Sequence, residues 1–220
     1  EINHFYAESD DAVALRDTVN ASAALAGTKI SADGKVNGVL FGAGNDVTLS
    51  GEVDYGVVAG NNVDVTGTVL KDAAIAGNVV EFNGSNLQRD TLIAASKTNL
   101  SGKFGRNITV ASEIVDVNDV TIGGNLKLYA ENIQIGDNVK IAGTLTYPEN
   151  ATVKISDGAV IGKVEKSAAI DNESTWVEIM TEKVFSILSL VLIFVVISLL
   201  LPKLFEKIDK KYEKFGFDKG

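Results

Sequence analysis

The chain has 220 residues, 21 of them Gly and only 2 Pro, with 45% hydrophobic residues and a net charge of −9. It contains no Cys and a single His, His4, which excludes a thiol nucleophile, a disulfide framework, a thiolate metal centre and a multi-histidine site. The acidic balance speaks against nucleic acid as a partner, because phosphate contacts need a basic surface.

The charge is unevenly spread. Residues 203–220 hold six Lys and four acids, which leaves 14 basic and 25 acidic residues over 1–202, a balance of −11. The chain opens at Glu1 rather than Met, as after removal of an export signal or in a fragment of a longer protein.

Residues 1–19 precede the first recognisable repeat and read as an N-terminal lead, with Val13, Leu15 and Val19 available to cap the first coil. From residue 20 to 166 the chain repeats itself. Ala43-Gly-Asn-Asp-Val47-Thr-Leu49-Ser-Gly51 matches Ala59-Gly-Asn-Asn-Val63-Asp-Val65-Thr-Gly67 and, further on, Ile135-Gly-Asp-Asn-Val139-Lys-Ile141-Ala-Gly143. The closing glycines are Gly34, Gly51, Gly67, Gly84, Gly102, Gly124, Gly143 and Gly162, and an apolar residue usually comes two positions later, as at Val53, Val69 and Leu145.

Alternation with period two marks strands with one buried face. A strand-and-turn unit of about 18 residues cannot bury that face alone, whereas stacked coils can. The expected fold is therefore an all-β parallel β-solenoid of about eight coils over 20–166. Two interior columns are expected: Ile30, Val47, Val63, Val80, Thr98, Val120 and Val139, beside Ala32, Leu49, Val65, Phe82, Leu100, Ile122 and Ile141. Thr28, Asn45, Asn61, Asn78, Ser96 and Asp137 would form a polar ladder at a turn. A left-handed β-helix of hexapeptides is the competing fold, since Val57, Val63, Val69 and Ile75 fall six apart.

The apolar-x-apolar-x-Gly-x-apolar unit, as in Val63-Asp-Val65-Thr-Gly67-Thr-Val69 and Val139-Lys-Ile141-Ala-Gly143-Thr-Leu145, resembles that of the bactofilins, the polymer-forming cytoskeletal proteins of bacteria. The resemblance covers about residues 20–166. It implies a right-handed parallel β-helix whose coils stack end to end into nucleotide-free filaments, with a second copy of the chain as partner. Members of the soluble type sit in the cytoplasm and carry short disordered tails, whereas this chain continues into an apolar segment that points to the bacterial cell envelope.

Residues 167–183 read as a linker. Then Val184–Leu201 runs 18 residues without a charge, about 27 Å as a helix and enough to cross the hydrocarbon core. A single transmembrane helix is expected over 184–202, with Val184, Leu190, Phe194 and Leu201 among its anchoring residues. Lys203, Lys207, Lys210 and Lys211 lie next in a basic tail over 203–220, while Glu173, Glu178 and Glu182 lie on the other flank. The positive-inside rule then puts the C-terminus in the cytoplasm and the solenoid outside.

For chemistry the sequence offers little. Asp10 with Asp11, and Asp116 with Asp119, are the nearest approach to acidic clusters, and neither has calcium-loop spacing. No phosphate-binding or dinucleotide fingerprint comes after a strand. The 22-residue interval between Gly102 and Gly124, with Arg106, Glu113 and Asp116, is the one place for an inserted functional loop. The expected function is non-enzymatic, without metal or cofactor: a membrane-anchored scaffold that self-associates. The alternatives are a monomeric module that binds cell-wall glycan or an envelope protein, and, less favoured, a polysaccharide-acting β-helix enzyme. A glycan-binding face would be marked by an aromatic row, but Phe41, Tyr55, Phe82, Phe104 and Tyr129 share no repeated position.

Overall fold

A computed structural model describes residues 1–170. Most of the linker, the apolar segment with Val184, Leu190, Phe194 and Leu201, and the tail with Lys203, Lys207, Lys210 and Lys211 lie outside the described residues. Among the described residues no helix is long and apolar enough to cross a membrane.

The fold is a parallel β-solenoid. Sixteen strands between Tyr6 and Ser167 join one sheet that winds upon itself. Each turn has three faces. On the first face residues 6–9, 23–26, 40–43, 56–59, 73–76, 91–94, 108–111, 126–129, 145–148 and 164–167 stack in register, 16 to 19 residues apart. Ten such rungs, at the ordinary spacing between strands, give a rod about 45 Å long.

Because side chains alternate along a strand, every second residue enters the interior and meets its equivalents above and below. On the second face Val13, Ile30, Val47, Val63, Val80, Thr98, Val115 and Ile133 form one column. On the third face Val19, Val36, Val53, Val69, Leu87, Phe104, Ile122, Ile141 and Ile161 form another. The interior is a single continuous apolar core. Phe82 and Phe104 meet edge to face inside it, centroids 5.4 Å apart.

Two expectations change. The solenoid has about ten turns rather than eight, and it starts before residue 20. Tyr6–Ser9, Ala12–Leu15 and Thr18–Val19 pair with the next turn as a full coil, so Val13, Leu15 and Val19 are core residues. An alignment anchored on glycine passes over this turn because it has none: Asp17 stands where the next turns have Gly34 and Gly51.

The columns also part company with the sequence reading after Thr98. Val115 and Val117, not Val120 and Ile122, pair with Thr98 and Leu100, while Val120 pairs with Gly102. The glycine series is two ladders. Gly34, Gly51 and Gly67 stack at the corner between the second and third faces, and Gly124, Gly143 and Gly162 at the corner between the third and first. The 22-residue interval is thus no insertion: the strand Ile108–Ile122 tracks its neighbour Thr91–Phe104 with a one-residue register shift.

Candidate functional site

The two ends of the rod differ. At the N-terminal end Ile2 forms a bridge with Val19, donating its amide to the Thr18 carbonyl at 2.8 Å, while the Asn20 amide donates to the Ile2 carbonyl at 2.7 Å. Ile2 and Tyr6 pack against the core, and Val13, Leu15 and Val19 beneath them are buried. The Tyr6 hydroxyl donates to the Glu8 carboxylate, and that bond, with partial burial, pushes the phenol up to about 12.

At the C-terminal end the last rungs are open. Ile155 and Val164 hold inward positions, in register with Ile135 and Leu145, yet they are 36% and 46% exposed. Val160, outward beside them, is exposed as well. The strands Thr152–Ile155 and Val160–Ser167 pair only with the preceding turn, so among the described residues their outer backbone edges have no strand. The chain leaves from this end: Asn150 donates through Nδ2 to the Ile170 carbonyl at 2.8 Å and accepts the Ile170 amide at 3.0 Å.

Along the outside, polar side chains bond from turn to turn. At the corner between third and first faces, Asp72 Oδ1 accepts the Asp90 amide, Asp90 Oδ1 that of Asn107, Asn107 Oδ1 that of Asn125, and Asn125 Oδ1 that of Thr144, at 2.8–3.2 Å. Asn37 and Asn20 continue the pattern at the N-terminal end. This ladder, in two runs on either side of Asp54, is one corner away from the expected one, where Thr28 donates to Asp11 at 3.3 Å. The sequence signal is Asn or Asp at 17–18-residue intervals from Asn3 to Asn125, which the Ala-Gly-Asn triplets of the other corner obscure.

Charges pair vertically too. Lys35 meets Glu52 at 2.9 Å, Lys71 meets Asp54 at 2.9 Å, Arg106 meets Asp90 at 3.2 Å and Lys97 meets Asp116 at 3.7 Å. Hydrogen bonds from Ser50 and Ser31 hold the Asp33 carboxyl below the usual range.

The candidate chemical residues are dispersed. Arg106 sits at the third-to-first corner, Glu113 near the first-to-second corner, and Asp116 on the second face beside Lys97. Asp119 accepts from Asn138 at 2.8 Å. Among the described residues no group of three or more His, Asp or Glu could hold a metal. The aromatics divide as well. Phe82 and Phe104 are interior, whereas Tyr55 and Tyr129 lie beneath Lys71 and Lys127, each 4.9 Å from the ring centroid. The repeat residues Val47, Leu49, Val53, Val63, Val65, Val69, Val139, Ile141 and Leu145 are all buried in the core, and Gly51, Gly67 and Gly143 occupy corners.

Comparison of the chain with family models, with curated proteins and with solved structures gives no match.

Proposed function

We propose that this protein is a non-enzymatic structural rod, held at a bacterial membrane by residues 184–202, which associates with further copies of itself through the C-terminal end of the solenoid. The observation that carries the reading is the contrast between the ends. Each end keeps two strands paired on one side only, but at one end Ile2 and Tyr6 pack on the core and Val13, Leu15 and Val19 are buried, whereas at the other Ile155 and Val164 are exposed. Unpaired edges beside exposed apolar side chains favour strand addition. The uniform turn length supports a role based on shape, since 16–19 residues per turn leaves no room for a protruding catalytic loop.

The bactofilin-like repeat and the apolar segment with its lysine flank support the same reading at the level of sequence. The test is negative-stain electron microscopy and light scattering of the full chain in lipid nanodiscs. End-joined rods that separate in Ile155→Asp and Val164→Asp variants are the expected result. Monomers at every concentration overturn self-association and shift the role to binding wall glycan or an envelope protein through the side of the rod.

A further inference from the structure

Both ends of the solenoid break the turn at the same point. The chain enters on the third face at Ile2, in register with Val19, and passes to the first face at Tyr6–Ser9. The last strand runs over the same two faces, with Ile161 on the third and residues 164–167 on the first. The interior columns therefore end in matching pairs. The column that opens with Ile2 closes with Ile161, and the one that opens with Tyr6 closes with Val164. A third opens with Glu8, in register with Leu25, and closes with Lys166, in register with Tyr147.

Leu25 and Tyr147, one turn further in, are core residues. Glu8 and Lys166 stand in their place at the two ends with opposite charges, and a charge at an inward position is costly to cover unless it is paired. Glu8 is half-buried and accepts the Tyr6 hydroxyl, whereas Lys166 is exposed. Lys163 beside it pairs with Glu165, which leaves Lys166 without an ion pair among the described residues. The ends differ in overall charge in the same sense. Residues 1–19 carry five acids and one Arg, a balance of −4, and residues 152–167 carry three Lys and two acids, a balance of +1. We propose that the C-terminal end of the rod receives the N-terminal end of a second copy, head to tail, with Lys166 set against the partner's Glu8.

In that joint Ile161 meets the partner's Ile2 and Val164 the partner's Tyr6, each one strand spacing away, about 4.8 Å. The strands stay parallel, as everywhere in the rod, so the pairing crosses the joint without a change of pattern. On the second face the copies remain one strand apart, because Thr152–Ile155 ends a turn earlier than Val160–Ser167, and Ile155 lines that slot. The other end-to-end arrangement sets two C-terminal ends face to face about a two-fold axis. It makes the strands antiparallel and brings Lys163 and Lys166 of both copies together, a like-charge contact that disfavours it.

The inference rests on self-association through the C-terminal end and adds the surface that receives it. A heterologous contact of this kind leaves one free end of each sort on every assembly, so growth continues from copy to copy rather than stopping at a dimer.

The chain has no native Cys, so introduced ones report cleanly. Ser9 and Ser167 hold equivalent outward positions on the first face, in register with Ala26 and Pro148. Head-to-tail stacking puts their Cα atoms about 5 Å apart, within disulfide reach. The full chain is prepared in mild detergent as Ser9→Cys and Ser167→Cys single variants. Oxidation of the mixture is expected to give mixed dimers, with little product from either variant alone. Light scattering tests the charges at the same joint. Glu8→Lys and Lys166→Glu are each expected to weaken association at least about tenfold, and the two substitutions in one chain are expected to restore it. Disulfides from Ser167→Cys alone, with association strengthened by Lys166→Glu and unchanged by Glu8→Lys, overturn the head-to-tail joint while self-association through the C-terminal end stands. Monomers of the unmodified chain at every concentration overturn both.

Discussion

Gly51 and Gly56 lie five residues apart and answer opposite demands. A Cβ at Gly51 would collide with the carbonyl oxygen of Gly34 in the turn before, at a corner where chain packs on chain. A Cβ at Gly56 points into the core and finds only Val69, Leu49 and Val53 methyl groups at 3.8–4.0 Å. Gly51→Ala is expected to cost about 2–3 kcal/mol, as overpacking does. Gly56→Ala is expected to gain about 0.5–1 kcal/mol, from a stiffer unfolded chain and one more buried methyl. Urea denaturation of the pair checks both signs. Thr91 offers a second contrast. Its Oγ1 is buried without a hydrogen-bond partner, in a column between Ala73 and Ile108. Thr91→Val keeps the shape and removes the stranded hydroxyl, so a gain of about 1 kcal/mol in the same measurement is expected; a loss of that size would mean the hydroxyl is bonded in solution.

At the scale of the strand and its corner, the sequence is legible in one respect and misleading in another. Alternation identifies the strands and their buried residues correctly, because each interior column is filled by whichever apolar residue suits its turn. It does not say which face a strand belongs to. The unit Val63-x-Val65-x-Gly67-x-Val69 runs from the second face into the third, while Val139-x-Ile141-x-Gly143-x-Leu145 runs from the third into the first. The two read alike because every face is an alternating strand and any corner can take a glycine. Only the pairing partners tell them apart. The open C-terminal end was legible as a general property of stacked strands. The corner bonds carry a pH dependence. Ser50 and Ser31 donate to ionised Asp33, whose pKa is lowered in the folded chain. The stabilisation from this carboxylate is therefore complete above the unfolded carboxylate range of about 4 and is lost as pH falls through the lower folded value. Ser50→Ala is expected to move the Asp33 titration, tracked by carboxyl carbon NMR, upward toward the ordinary value. No movement would show that the bond does not form in solution.

As a whole, the molecule is a stack in which each turn touches only its neighbours, so its stability is close to a sum of local terms along one axis. Such a stack opens from whichever end is least covered. Val19 in the first turn is fully buried under the bridge to Ile2, while Ile155 and Val164 in the last turns keep a third or more of their surface exposed. Amide exchange in the monomer is accordingly expected to be slow from the first turn through the strand Asn132–Ile135. It should quicken over Thr152–Ile155 and Val160–Ser167, which exchange through local fraying rather than global unfolding. The same asymmetry separates stability from assembly. Leu49→Ala removes a fully buried side chain in mid-stack and is expected to cost about 2–5 kcal/mol. Ile155→Asp, at the open end, is expected to change monomer stability by less than about 1 kcal/mol while abolishing self-association. If association protects the last turns, their exchange slows as protein concentration rises in the unmodified chain and stays fast in Ile155→Asp. Uniform protection through residue 167 in a dilute monomer would instead mean that the C-terminal end is already covered, and the surface for assembly would have to be sought on the side of the rod.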